Sequence, residues 1–353
     1  MDPKQRLTEA ERDLFDEIVE LKQHWGERLL VLTHHYQRSE VVALNDFVGD
    51  SYELSRQARD AAGAEFIVFC GVRFMAEAAE VLRRESQRVL QPDPQSGCPL
   101  ADFAPTDQAE QAWRTVAAAR GAEAVMPVVY MNSSASLKAL VGRNGGTVCT
   151  SSNAPRAFEW AFGQRPLVFF FPDEHLGRNT ARKLGIADDA VAVWDPTAPD
   201  GGLDAETLKR IQVLLWRGYC HVHTHFTTAQ IAAARQRHPD CRVIVHPECP
   251  VEVVAAADGD GSTAYIVEQA ERAAAGATLV IGTEINLVRR LADSYPDKTI
   301  LPLARSLCPN MFRISLKKLR DALRSLPDPA AVVQLDPAVK RDAALALERM
   351  LSI

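Results

Sequence analysis

The sequence predicts an α/β protein made of three related domains with parallel sheets, and three observations carry that prediction. Three cysteines, Cys98, Cys220 and Cys308, each close one copy of the same long pattern. Within every copy, β-branched apolar runs alternate with helix-forming stretches, the order that builds parallel α/β sheets. The length of 353 residues is too great for one compact core and divides into three units of ordinary domain size.

The first copy runs from RLLVLTHHYQ through VGDSYELSRQA and FIVFCGVRFMAEAAEVL to SGCPL. The second runs from AVMPVVYMNSSA through VCTSSNAPRAFEWA and LVFFFPDEHLGRNTARKL to RGYCHVH, and the third from CRVIVHPECP through DGSTAYIVEQA and LVIGTEINLVRRLA to SLCPNMF. Anchored on His34, Asn132 and His246, a hydroxyl residue follows at Ser51, Ser151 and Thr263, offsets of 17, 19 and 17. The closing cysteines lie 64, 88 and 62 residues after the same anchors, and the insert DPTAPDGGLD accounts for the longer middle value. Periodicity on this scale marks an internal triplication and is read before any local motif. The domains are expected at 1–105, 106–225 and 226–353.

In each copy a strand such as LLVLTHH, VMPVVYM or RVIVHPE leads by a short loop to a helix such as SYELSRQARDAA, NAPRAFEWAF or TAYIVEQAERAAA. A second strand (FIVFC, LVFFF, TLVIGT) and a second helix follow. Helices over LTEAERDLFDEIVELKQHW, TDQAEQAWRTVAAARG and TAQIAAARQRHPD precede the copies, and the tail after about Pro327 turns helical at KRDAALALERMLSI.

Composition narrows the function. The 40 basic and 46 acidic residues give a net charge of −6, which disfavours nucleic-acid binding by bulk charge. The polar start MDPKQRLTEAERD does not resemble a secretory leader, and no apolar run approaches a membrane span. A cytoplasmic enzyme of small substrates is expected, with neither nucleic acid nor membrane as a partner.

Ligands of open α/β sheets gather beyond the carboxyl ends of the strands, where His34, Tyr36, Tyr130, Asn132, His246 and Glu248 fall. Ser51, Ser151 and Thr263 each stand before a predicted helix, as N-caps whose helix ends would suit a carboxylate or phosphate. Among seven cysteines there is no Cys-x-x-Cys pair. Cys70, Cys149, Cys241 and Cys249 fit structural positions, whereas Cys98, Cys220 and Cys308 lie in loops beside Gly or Pro or in RGYCHVH. Three thiolates without an equivalent fourth imply a metal or cluster with one coordination position open.

The segments HHYQRSEVVALNDFVGDSYELSRQA, FCGVRFMAEAAEVL, VYMNSSASLKALV, VCTSSNAP, PDEHLGRNTA, HPECPVEVV, DGSTAYIV, GTEINLVRRLA and CPNMFRISLKKL, in this order, resemble the quinolinate synthase family over roughly residues 25–325. The resemblance implies three three-layer α/β/α domains in pseudo-three-fold array around a [4Fe-4S] cluster held by Cys98, Cys220 and Cys308, with one iron open. It implies condensation of iminoaspartate with dihydroxyacetone phosphate to quinolinate, releasing phosphate and water, on the de novo route to NAD. L-Aspartate oxidase and iron–sulfur assembly proteins are the protein partners it implies. Its substrate positions fall on His34, Tyr36, Ser51, Tyr130, Met131, Asn132, Ser151, His223, His246, Pro247, Glu248 and Thr263. Of these, Tyr36, Glu248, His34, His223 and His246 can move protons near neutral pH. His221 and His225, flanking His223, are expected to be incidental. The alternatives are a radical enzyme like those of diphthamide synthesis and a non-catalytic iron–sulfur sensor. The HPE and Tyr-x-Asn segments favour a small-molecule enzyme over the first, and the convergent polar residues disfavour the second.

Overall fold

The computed structural model describes residues 3–329 and 331–353. Its strands form three sheets, and every pairing between strands is parallel. The first sheet contains β1 (Leu29–His34), β2 (Phe47–Gly49), β3 (Phe66–Cys70) and β4 (Arg88–Leu90), in the order β2-β1-β3-β4. The second contains β5 (Val125–Tyr130), β6 (Thr147–Cys149), β7 (Leu167–Phe171), β8 (Val191–Trp194) and β9 (Val213–Trp216), in the order β6-β5-β7-β9-β8. The third contains β10 (Arg242–Val245), β11 (Gly259–Asp260), β12 (Thr278–Gly282) and β13 (Thr299–Pro302), in the order β11-β10-β12-β13. The α/β class and the parallel pairing are those expected. The middle copy is longer not only through its insert: it also carries β8, a strand that among the described residues has no counterpart in the other two sheets.

The described chain separates into two compact units. One comprises Met1–Gly97, His225–His246 and Ala256–Gln334 and contains the first and third sheets; the other comprises Cys98–Thr224, Pro247–Ala255 and Leu335–Ile353 and contains the second.

In the first unit the pleat sorts side chains by alternation. Leu29 and Val31 of β1 pair with Phe66 and Val68 of β3, and all four enter one buried cluster with Phe15 and Ile18 of the helix Glu9–Trp25 and Leu319 and Leu323 of the helix Leu316–Arg324. The helix Glu9–Trp25 starts at Glu9 because Thr8 and Glu11 form a reciprocal capping box. On the third sheet, Ile244, Leu279, Ile281 and Ile300 pack with Ile266, Leu287, Val288 and Leu291 from the helices Thr263–Arg272 and Ile285–Ser294. Each fully buried side chain of this size contributes roughly 1.5–3 kcal/mol.

In the second unit the helix Pro337–Ser352 lies against the helix Ala135–Arg143. A Cβ on Gly142 would stand 2.0 Å from the carbonyl oxygen of Asp342, so only glycine permits this approach. Arg349 Nη1 donates to the carbonyl of Gly146 at 2.6 Å and ties the helix to the end of the next turn.

Candidate active site

The carboxyl end of β5 delivers Tyr130, and the turn after it is held rigidly. The Lys138 ammonium, fully buried, donates to the carbonyls of Met131 at 2.8 Å and Ser133 at 2.5 Å, while Ser133 Oγ donates to the carbonyl of Tyr130 at 2.8 Å. Met131 N–H donates to the carbonyl of Cys149 at 2.7 Å, so Tyr130, Met131 and Asn132 have a fixed backbone. The Tyr130 hydroxyl donates to Oε1 of Glu248 at 2.5 Å, and Nδ1 of His223 lies 2.6 Å from Oε2 of the same carboxylate. All three side chains are buried.

Glu248 is held from behind. Asn179, on the helix Glu174–Lys183, donates through Nδ2 to the carbonyl of Pro247 at 2.8 Å and to that of Cys249 at 2.9 Å. One amide therefore anchors the peptide unit that enters Glu248 and the one that leaves Cys249, bracketing Glu248 so that its carboxylate needs little reorganisation to act. His223 comes from a turn in which its N–H and that of Thr224 both donate to the carbonyl of Cys220 at 3.0 Å. This brings donor atoms of Cys220, His223 and Glu248 within 4.8 Å of one another. His221 and His225 are exposed on either side of the buried His223.

Negative groups crowd this site. Burial pushes the Cys220 thiol well above its ordinary pKa, and the charges of Glu248, Cys98 and Asp173 push it further. Asp173 is fully buried, and its Oδ1 accepts from Leu176 N–H at 2.7 Å as the cap of the helix Glu174–Lys183. Among the described residues its Oδ2 has no hydrogen-bond partner, and burial followed by the charge of Glu248 raises its pKa well above the usual carboxylate range. Such a set of mutually repelling acidic donors suits a bound cation.

The first unit holds the other expected residues. His34 ends β1, and its Nδ1 accepts the Tyr36 N–H at 3.1 Å. A nitrogen that accepts carries no proton, so in neutral His34 the proton sits on Nε2. The Tyr36 hydroxyl is 2.7 Å from Oγ1 of Thr283, and the Tyr36 carbonyl accepts from Asn286 Nδ2 at 3.0 Å. His246 follows β10, and its N–H donates to the carbonyl of Gly282 at 3.1 Å. Buried Glu284 caps the helix Ile285–Ser294: its Oε2 accepts from Asn286 N–H at 2.6 Å and its Oε1 from Cys308 N–H at 3.4 Å. Burial brings the Glu284 carboxyl up to about 7.

The expected caps are corrected by one or two residues. Asp50, not Ser51, caps the helix Ser51–Asp60, accepting from Tyr52 N–H and Glu53 N–H at 2.9 Å. Ser262, not Thr263, caps the helix Thr263–Arg272, accepting from Tyr265 N–H at 3.3 Å. Ser51 and Thr263 are instead the first helical residues, and Ser151 lies in the turn before Asn153, which makes no side-chain cap. An N-cap must be extended so that its own side chain reaches back over the first turn, and Asp50 and Ser262 have that backbone.

By burial the cysteines fall into two groups: Cys70, Cys149, Cys241 and Cys249 are buried, and Cys98, Cys220 and Cys308 are half-buried. Burial also drives the Cys70 thiol up to about 12, so it stays protonated and inert. Sequence reasoning missed Lys138, Asp173, Asn179, Thr283, Glu284 and Asn286. A signal existed for two of these: Asp173 and Glu284 occupy matched places, each capping the helix after the second long strand of its copy.

Comparison with known proteins bears on this geometry. Residues 16–352 match the family described as Quinolinate synthetase A protein. The chain is 47% identical to the quinolinate synthase of Corynebacterium glutamicum over 99% of its length and 90% of that protein. It is 48% identical to the quinolinate synthase of a Nocardioides species, over 93% of this chain and 86% of the relative. With the Streptomyces coelicolor quinolinate synthase the identity is 47%, over 98% and 89%.

Proposed function

The chain belongs to the quinolinate synthase family, and from that premise we propose that its chemistry runs on the side chains gathered at the Glu248 carboxylate. It is an enzyme, a quinolinate synthase of NAD biosynthesis. The substrates we assign are iminoaspartate and dihydroxyacetone phosphate, which condense with loss of phosphate and water. The protein partners that this assignment brings with it are L-aspartate oxidase, as the source of iminoaspartate, and iron–sulfur assembly proteins.

A [4Fe-4S] cluster fits the chemistry of the donors, because the charges of Glu248, Cys98 and Asp173 raise the Cys220 thiol and that of Glu248 raises Asp173, a repulsion that a cation would relieve. Cys98, Cys220 and Cys308 would be its thiolate ligands. When bound, it supplies an open iron that acts as a Lewis acid on a substrate oxygen or nitrogen.

The protein's own groups handle the protons. Tyr130 and His223 each engage one oxygen of Glu248 and so set the direction of its remaining lone pairs, from which it accepts a substrate proton. His223 exchanges protons with Glu248 across 2.6 Å. Tyr36 offers a phenol that is shared with Thr283, and His34 presents Nε2–H as a donor. His246 is the remaining acid or base candidate. Ser51, Ser151 and Thr263, with Tyr130, Met131, Asn132 and Pro247, hold carboxylates and phosphate through hydroxyls, amide and backbone.

The observation that carries this assignment is the Tyr130–Glu248–His223 contact, braced by Asn179. Its test is quinolinate formation by anaerobically prepared protein from the two substrates, without S-adenosylmethionine. The wild-type chain should turn over, and Tyr36→Phe should retain substrate affinity while losing roughly 10²-fold in rate, as typical of a proton-transfer group. No quinolinate from protein with a full complement of iron would refute the assignment.

A further inference from the structure

We propose that the cleft between the segment Arg6–Leu7 and the helix Ile285–Ser294 is a second ligand site, which takes a small anionic metabolite by a phosphate or carboxylate group held on Arg289 and Arg290. The cleft has a volume of about 430 Å³, and four arginines, Arg6, Arg38, Arg289 and Arg290, reach it. That size accommodates a small metabolite. Leu7, Val42 and Phe312 give it an apolar wall beside the guanidinium groups.

The charges in the cleft are unequally matched. Arg6 is held by Asp293 through two bonds of 2.6 and 2.7 Å. Arg38 has Glu40 at 3.2 Å and donates to the carbonyl of Ile314 at 3.0 Å. Glu11, the remaining acid of the lining, accepts from the backbone and hydroxyl of Thr8 at 2.9 and 2.8 Å. Arg290 differs. Among the described residues its hydrogen-bond contacts are the carbonyl of Gln37 at 3.4 Å and Nδ1 of His35 at 3.3 Å, both uncharged acceptors. His35 is neutral because burial and the nearby guanidinium hold its pKa near 3. The carboxylate that acts on Arg290 at longer range, Glu284, gives its oxygens to Asn286 N–H and Cys308 N–H. A largely desolvated guanidinium facing a cleft without a bonded carboxylate is a place for an oxyanion, which guanidinium binds in forked geometry. Arg289, the exposed neighbour on the same helix, adds a second positive charge at the rim.

The site is wired to the segment that carries Tyr36. Arg290 holds the Gln37 carbonyl and Asn286, one turn earlier, holds that of Tyr36. An anion that draws Arg290 toward the cleft weakens the hold on Gln37 and His35 and so changes the set of Tyr36. Only this effect on turnover rests on the role given above to Tyr36; binding does not.

The test titrates the full-length protein, separately, with inorganic phosphate and with succinate, by calorimetry, and locates each by hydrogen exchange. Saturable binding is expected, with protection over residues 38–43 and 286–294. Arg290→Gln should weaken it about tenfold or more and Arg289→Gln severalfold, the latter without change in thermal stability. Tighter phosphate identifies a phosphorylated metabolite, and tighter succinate a dicarboxylate. Absence of saturable binding by both anions, protection confined to other segments, or affinities unchanged in Arg289→Gln and Arg290→Gln would each overturn the proposal. If binding holds but occupancy leaves kcat and KM unaltered, the coupling to Tyr36 is wrong and the site stands.

Discussion

Tyr130 and Glu248, 118 residues apart in the chain, share a hydrogen bond of 2.5 Å inside a buried pocket. Two substitutions separate what each contributes. Glu248→Gln keeps the shape but cannot take a proton, and kcat should fall by roughly 10²-fold or more with little change in KM. Tyr130→Phe leaves the carboxylate able to accept a proton but unaimed on one side, so a smaller loss and an altered pH–rate profile are expected. Equal rates for wild type and Glu248→Gln would remove Glu248 from proton transfer.

Asn179 is expected to matter although it lies behind the reacting groups. Asn179→Ala removes the donor shared by the carbonyls of Pro247 and Cys249, and each lost bond should cost on the order of 1 kcal/mol. Chemical denaturation should show that loss, and kcat should drop with iron content preserved. A variant as stable and active as wild type would show that the amide does not position Glu248.

Caps and ligand-binding hydroxyls can be told apart by neighbouring substitutions. Asp50→Ala and Ser262→Ala should each cost on the order of 1 kcal/mol of stability, because Asp50 accepts two cap bonds and Ser262 one. Ser51→Ala and Thr263→Ala should leave stability close to wild type and raise KM. Thermal melts and steady-state kinetics on the four variants measure both effects, and the reverse pattern would return capping to Ser51 and Thr263.

The thiols divide in the same manner. Cys98→Ser, Cys220→Ser and Cys308→Ser should each lose iron and activity, while Cys70→Ser and Cys241→Ser keep iron near the wild-type ratio. Iron and sulfide analysis under anaerobic conditions reads this directly. Uniform loss across all five would sink the ligand assignment.

His35 makes stability depend on acidity. Its ordinary pKa of 6.5 is lowered in the fold to about 3 by burial and then by Arg290. The folded protein therefore takes up this proton only near pH 3, whereas the unfolded chain takes it up below about 6.5. The contribution is complete above about pH 6.5 and drains away as pH falls toward 3, with a slope of at most about 1.4 kcal/mol per pH unit. Denaturation between pH 6.5 and 4.5 should show a shallower slope for His35→Gln than for wild type. Identical slopes would show that His35 is accessible to protons in the fold.

Long strands were legible because their residues announce themselves: LLVLTH, VMPVVY and LVFFF are apolar, β-branched or aromatic and buried on both faces. The edge strands Phe47–Gly49 and Gly259–Asp260 were not, being three and two residues long, too short to display a period. The strand-end places of His34, Tyr130 and His246 were legible from the repeat, because parallel sheets put matched positions at matched ends. The caps slipped by one because GDSYE and DGSTA each offer two adjacent residues able to cap. Asn179 was invisible for a different reason: its partners stand 68 and 70 residues away, and no local pattern encodes a contact of that range.

The close approach of Gly142 to Asp342 also sets a timetable for the nascent chain. The sheet β5–β9 is synthesised by residue 216, yet the helix that covers Ala135–Arg143 begins only at Pro337. All segments of the unit that carries Tyr36 are made by Gln334. Vectorial synthesis thus supplies every piece of that unit first, leaving the one that carries Glu248 with an uncovered helix until its last segment emerges, the interval in which a chaperone would find exposed apolar surface.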